Sequence, residues 1–264
     1  MSNYENPYAR FGSTVSQADA QAIDQGLRDY MVKIYNYMAI GVGLTGVIAY
    51  ALFVLATTTV GAPDAVATVR GTTALTSLGV LLYTSPLKWV IMLAPLGLVF
   101  LLGFRIHKMS VPAAQMTFWI YCALVGASLS TIFLVFTMGS IANVFFITAV
   151  AFGALSLYGY TTKKSLSGMG SFLFMGLIGI ILASIVNIFL GSSALQFAIS
   201  VIGVLVFSGL TAYDTQRLKD EYIYGVSGAD EATAGRSAIM GALSLYLNFI
   251  NLFTMLLQLL GNRE

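Results

Sequence analysis

The chain has 264 residues, of which 58% are hydrophobic and only 9% charged. A soluble globular domain carries about 25% charged residues, because polar side chains must cover its surface, so this composition points to an integral membrane protein. The net charge of +2 leaves no electrostatic footprint for nucleic acid. One cysteine, Cys122, and one histidine, His107, exclude an intramolecular disulfide and a Cys/His zinc or iron–sulfur centre.

The opening stretch, MSNYENPYARFGSTVSQADAQAID, is polar and lacks the apolar core of a signal peptide. Residues 1–33 are therefore expected to be a polar cytoplasmic segment ahead of a membrane domain over 34–264, with the first apolar helix as the insertion signal. A hydrocarbon core of roughly 30 Å takes about 20 apolar residues per helix. Seven runs meet that need: Ile34–Ala56, Trp89–Phe104, Met116–Phe136, Ile141–Tyr160, Gly170–Leu190, Leu195–Tyr213 and Ala238–Leu260. They are too long for barrel strands and do not alternate with period two. The expected class is an all-α integral membrane protein of seven transmembrane helices.

The connections alternate in charge. Arg10, Arg28, Lys33, Arg105, Lys108, Lys163, Lys164, Arg217, Lys219 and Arg236 fall on one side, against only Arg70, Lys88 and Arg263 on the other. The positive-inside rule then places the N-terminus in the cytoplasm and, with seven spans, the C-terminus outside. A last segment that dips in and returns would bring the C-terminus back inside. The outer connection Thr57–Lys88 contains the apolar run Leu75–Tyr83, too short to span, which reads as an interfacial helix, a partial re-entrant segment or an ordered cap over the helix ends. The sixth connection starts as LKDEYIYG, an amphipathic extension of the sixth helix, and continues as VSGADEATAG, read as a mobile loop.

Within the spans, Gly176, Gly179, Ala183, Asn187 and Gly191 form one stripe, and the pairs Gly41/Thr45 and Gly126/Ser130 repeat a small-xxx-small spacing. Such stripes let helix backbones approach closely. On the seventh helix Ser237, Gly241, Ser244, Asn248, Asn251 and Gln258 share one face, while the other faces are Leu, Phe, Met and Tyr. Polar groups facing lipid cost free energy, so this face turns towards other helices. It serves either interhelical hydrogen bonding or the lining of a pore.

Asp214, in GLTAYDTQRLKDE, is the sole acidic residue at membrane depth, with Thr211 and Arg217 one turn away. An ionisable group there is a functional hypothesis by default; the plainer alternative is an interfacial i, i+3 ion pair with Arg217. Arg105 ends the second span on the same side and could pair with Asp214 across a cavity, or snorkel to the headgroups. No mid-span lysine marks the seventh helix, and neither an H-E-x-x-H nor a Walker motif is present. An enzyme, resident metal or cofactor is therefore not expected.

Two segments, SVIGVLVFSGLTAYDTQRLKDE (Ser200–Glu221) and ALSLYLNFINLFTMLLQLLG (Ala242–Gly261), with SFLFMGLIGIILASIVNIFL (Ser171–Leu190) in support, resemble the Bax inhibitor-1 family and its bacterial YccA-like members. The resemblance implies six helices around a central seventh and a pH-sensitive calcium leak. It also implies two aspartates on the last two helices that share a proton, and an arginine ending the second helix that latches onto the first of them. Asp214 matches the first aspartate and Arg105 the arginine, but Asn248 stands where the second aspartate would be.

One carboxylate and one amide form a hydrogen-bonded pair with a single titrating group, so weaker pH gating is expected than in a dyad. Asp214 is also the one candidate metal contact, and Asp214 with Asn248 is a sparse oxygen set for calcium. Supporting roles fall to Thr211, Arg217, Ser244 and Asn251. The resemblance implies a bacterial plasma membrane. It also carries an alternative reading, a non-enzymatic interaction protein that modulates a membrane-bound AAA protease through the N-terminal segment and the sixth loop.

Overall fold

The computed structural model of the chain describes residues 17–263; residues 1–16, with Arg10 and the first part of the 1–33 segment, and Glu264 lie outside them. Among the described residues, seven helices are long and apolar enough to cross a bilayer. In chain order the helices are α1 (Gln17–Ala56), α2 (Ser77–Tyr83), α3 (Leu87–Arg105), α4 (Val111–Leu129), α5 (Met138–Thr161), α6 (Ser167–Leu190), α7 (Ser193–Glu221) and α8 (Glu231–Leu260). All but the short α2 are spans. The chain is thus an all-α multi-pass membrane protein.

Except for α4, which ends at Leu129, each spanning helix is longer than its apolar run, and polar residues cap the starts of four of the spans. The side chains of Ser110, Thr137, Ser192 and Asp230 accept hydrogen bonds from the amides of Ala113, Ser140, Leu195 and Thr233, capping α4, α5, α7 and α8. Such caps satisfy amides that a helix cannot pair internally. Gly191, at φ +60°, stops α6 in the left-handed region open to glycine. Residues 17–33 form the first turns of α1, which is 40 residues long. Glu231–Ser237, read from sequence as part of a mobile loop, instead opens α8, and a π-helical turn at Tyr222–Val226 ends the α7 extension.

The connection Thr57–Lys88 holds an element that the sequence pattern does not predict. Strands β1 (Thr57–Thr59), β2 (Ala67–Arg70) and β3 (Thr73–Leu75) form an antiparallel sheet in the order β1-β3-β2. Threonine and valine suit the pleated conformation, and α2 follows as a short helix that does not span. The Tyr83 hydroxyl donates to Ser130 Oγ at 3.1 Å, tying this cap to the end of α4, and burial pushes the phenol's pKa up. At the same end, the amide of Thr137 donates to the Asn262 carbonyl (3.0 Å), fastening the tail of α8 to the start of α5.

Helix α8 is the central one. It packs directly against α1, α4, α5 and α7, while α3 lies mainly along α4 and α6 along α7. Its Ile239, Ala242, Leu245 and Tyr246 are fully buried, whereas Phe104 on α3 and Phe172, Met175 and Phe189 on α6 point outward as a lipid-facing helix must. Thr45 Oγ1 donates to the Cys122 carbonyl (2.9 Å) and lies 2.6 Å from the Tyr246 hydroxyl, joining α1, α4 and α8. The small residues named from sequence act here as expected. A methyl group at Gly41 would lie 2.9 Å from Cys122 Sγ, and one at Gly126 would lie 2.7 Å from the Thr45 carbonyl oxygen. In the α6 stripe, Gly176 meets Val206 but Gly179 faces open space.

Two predictions follow from this packing. A methyl group at Gly159 would overlap the Ala212 carbonyl, where α5 crosses α7, whereas one at Gly153, on the same helix, meets nothing within 4 Å. Gly159→Ala is expected to lower stability by about 1–3 kcal/mol through overpacking, and Gly153→Ala to be neutral or stabilising; thermal unfolding in detergent compares them. Second, hydrogen bonds from Thr233 hold the Asp230 carboxyl below the ordinary carboxylate range. A lowered folded-state pKa gives support that is present above the unfolded-state pKa and is lost as pH falls through the lowered one. Asp230→Ala should therefore speed hydrogen exchange in the first turn of α8 at neutral pH, and acidification should do the same to the parent chain.

Candidate functional site

The site lies on the seam between α7 and α8. Successive residues of α7 step by about 100° around the helix, so Asp214, Thr215 and Gln216 face different neighbours. Thr215 Oγ1 reaches Ser156 Oγ on α5 (3.3 Å). Gln216 clasps the α5–α6 loop, accepting from the Leu166 amide (2.7 Å) and donating to the Lys164 carbonyl (2.9 Å). With α7 fixed on those sides, Asp214 is left pointing at α8.

Asp214 is 7% exposed, seven residues or about 10 Å of helix inside the end of α7 at Glu221. Its Oδ2 accepts from Ser244 Oγ and from Asn248 Nδ2, each at 2.8 Å. Its Oδ1 lies 3.0 Å from Arg217 Nη2, which also donates to Ser244 Oγ at 3.2 Å. Three side chains, Asp214, Arg217 and Ser244, thus close a loop, to which Asn248 adds a third donor to the carboxylate. Ser244 gives its single proton to the carboxylate and takes one from the guanidinium, and the cation offsets the buried anion. Charge-assisted hydrogen bonds of this kind are about twice as strong as neutral ones. A buried carboxylate without them would be costly.

Beyond Arg217 the loop opens on a cavity of about 260 Å³ between α3, α7 and α8, lined by Val99, Gly103, Arg217, Glu221 and Ser244 among others. Asp214 is not in its wall; Arg217 and Ser244 stand between. One turn further out, Glu221 Oε1 accepts from Ser237 Oγ, which in turn accepts from the Tyr30 hydroxyl at 3.1 Å. This outer cluster was missed in the sequence. The available signal was that Glu221 lies seven residues beyond Asp214 and so on nearly the same face. On the inner side, the α7–α8 seam turns apolar through the buried Phe207, Leu210 and Leu252.

Of the residues singled out from sequence, Asp214, Arg217, Ser244 and Asn248 are brought together. Arg105 is not. It is exposed at the last turn of α3, and the sole ion pair among the described residues joins Asp214 to Arg217. Instead of the expected Arg105, the guanidinium paired with the carboxylate is that of Arg217, from one turn away on the same helix. Thr211 is buried but gives its proton to the Phe207 carbonyl (2.7 Å), and Asn251 gives an amide proton to the Leu247 carbonyl (2.8 Å); both serve their own helices. As for a metal, both Asp214 oxygens are already engaged, and no three His, Cys, Asp or Glu side chains cluster among the described residues. A cation would have to displace Arg217 to reach Asp214.

A seven-span bundle with one neutralised carboxylate between its last two helices defines the class: a polytopic membrane protein with an intramembrane ionisable site. The chain belongs to the Bax inhibitor-1 family: the sequence model described as "Inhibitor of apoptosis-promoting Bax1" matches residues 27–264. It is 46% identical over 265 residues to an uncharacterized protein of Caulobacter vibrioides, covering 100% of both chains. It is 45% identical over 240 residues to the inner membrane protein YbhL of Escherichia coli K12, covering 90% of this chain and 94% of that one. Similarity extends to an uncharacterized membrane protein of Streptococcus pyogenes, 34% identical over 245 residues, or 91% of this chain and 96% of that one.

Asn248→Ala removes one of three donors to Asp214 without touching the ion pair. It is expected to lower stability by about 1.5–3 kcal/mol, the range for a hydrogen bond to a charged group. Chemical denaturation in detergent micelles measures it, and a double-mutant cycle with Asp214→Asn should show the two losses to be strongly non-additive.

Proposed function

We propose that the chain is a pH-sensitive cation leak in which Asp214, clamped by Arg217, Ser244 and Asn248, holds α7 and α8 together. The observation that carries this reading is the buried carboxylate with donors from both helices, at the foot of an open cavity. The cargo is a small cation, calcium by family resemblance, and the protein acts without catalysis. The membrane is a bacterial plasma membrane with the N-terminus in the cytoplasm, as the alternation of Lys and Arg supports.

Two barriers close the path in this state. The first is the clamp, with the Arg217 guanidinium repelling cations at the cavity floor. The second is the apolar seam of Phe207, Leu210 and Leu252, a stretch that gates by excluding water. Protonating Asp214 removes the anion that retains Arg217. Arg217 then turns outward to Glu221, four residues on and in the same cavity wall, at a spacing that favours an ion pair on a helix. Ser244 and Asn248 lose their charged acceptor, and α7 and α8 are free to part.

Calcium flux into liposomes carrying the purified protein, swept from mildly acidic to mildly basic pH, tests the mechanism. The parent chain should leak more as pH falls, with the shallow dependence of one titrating group. Asp214→Asn should leak at every pH and lose the dependence. Asn248→Asp places a second carboxylate beside the first and should steepen the transition, because two close carboxylates share a proton. Unchanged flux in Asp214→Asn would remove the carboxylate from the mechanism.

A further inference from the structure

A cavity of about 770 Å³ has no part in the Asp214 site. It is a groove on the lipid-facing side between α1 and α5, with Phe152 and Phe249 in its floor. Small residues line its walls, Ala39 and Gly43 on α1 and Ala149 and Gly153 on α5. Residues of this kind normally let two helices touch. Here they do not, since a methyl group at Gly43 or Gly153 would meet nothing within 4 Å. The small side chains hold open a slot.

We propose that this slot is a binding site for one negatively charged phospholipid, with its acyl tails against Phe152 and Phe249 and its phosphate on Arg28. Length is the first argument. The lining runs from Arg28 to Gly43 on α1 and from Tyr160 to Phe145 on α5, about 22 Å of helix in each case. Half a hydrocarbon core of roughly 15 Å plus one interfacial layer of roughly 5–7 Å gives the same span, so the groove matches one leaflet.

Width is the second argument. Open space faces Gly43 on one wall and Gly153 on the other, beside the Phe152 and Phe249 rings, which leaves room for extended acyl chains.

Charge is the third. Arg28 lies at the outer end, exposed and without an ion-pair partner among the described residues. Asp24 and Asp29 stand on the same helix, and Asp29 already accepts from Gln25 (3.0 Å). Tyr160, on the opposite wall, is met from outside the lining by Lys219, whose Nζ donates to the Tyr160 carbonyl (3.0 Å) and lies 5.6 Å from the centre of its ring. Tyr35 and Tyr160 flank the mouth at the level where tyrosines mark the interface. A guanidinium at a polar mouth above an apolar slot suits an anionic headgroup above its tails.

Native mass spectrometry and thermal unfolding of the full chain in detergent, with phosphatidylglycerol or phosphatidylcholine added at equal mole fraction, test the site. One phosphatidylglycerol should be retained and should raise the melting temperature more than phosphatidylcholine does, while glycerol phosphate alone should do neither. Arg28→Gln should cut the preference for phosphatidylglycerol roughly fivefold, the value of one basic residue at an anionic surface. Gly153→Leu fills the slot at an open position and should abolish retention of either lipid while leaving lipid-free melting unchanged. Equal retention of the two lipids, retention undiminished in Gly153→Leu, or a dimer that Gly153→Leu disperses would each overturn the proposal.

Discussion

A carboxylate cannot stay ionised between two apolar helices unless the helices themselves supply its solvation. Asp214 is that carboxylate, and its solvation comes from both sides of one seam: Arg217 from its own helix, Ser244 and Asn248 from α8. The rest of the bundle arranges for those groups to meet. Thr215 and Gln216 lock the opposite faces of α7 to α5 and to the α5–α6 loop. Gly159 lets α5 come up against the backbone at Ala212, two residues from the carboxylate. Gly241 lets Leu218 and Ile34 close over α8 one turn from Ser244. The polar seam is held in register by apolar contacts on every other side.

That division of labour explains why α8 is central yet amphipathic. Its apolar faces fill the interior against α1, α4 and α5, with Tyr246 and Phe249 among aromatic neighbours on α4 and α5. Its polar face meets α7, the helix that carries the ionisable group. A helix uniformly apolar at this place would pack as well but would leave Asp214 without donors from α8 for its charge. A helix more polar would lose the tight contacts that keep water from the seam. The seam therefore has a wet outer mouth at Glu221 and Ser237, a fully paired middle at Asp214, and a dry inner end at Phe207 and Leu252.

The seven spans were legible because long apolar runs have no other use, and the polar face of the last helix because its spacing is helical. The first turns of α8 were hidden because Glu231–Ser237 carries no apolar run; its cap at Asp230 was the signal. The sheet at Thr57–Leu75 was hidden because strands of three or four threonine-rich residues leave no pattern long enough to count. Arg105 shows the limit of reading a site from one dimension. Sequence gives the end of the bundle at which an arginine sits, but not the direction it faces around its helix. The i, i+3 spacing predicts an ordinary ion pair between Asp214 and Arg217, and the structure has it. What the sequence could not tell is that the same guanidinium also meets Ser244 from α8, which turns a local pair into a link between helices.

The amide at Asn248 has a chemical consequence of its own. While Asp214 is ionised, an amide donor suits it better than a second carboxylate would, because no negative charge is added beside the one that Arg217 offsets. Once Asp214 is protonated it carries a donor, and a donor needs an acceptor. An asparagine can rotate to present its carbonyl oxygen, and a serine hydroxyl can give or take a proton bond. Ser244 and Asn248 can thus still bond a protonated Asp214, but only through neutral hydrogen bonds, about half as strong as the charge-assisted ones, and the guanidinium loses its counter-charge. In the proposed mechanism the loss is greatest at Arg217, whose position, over the carboxylate or out in the cavity, is the variable that protonation would drive.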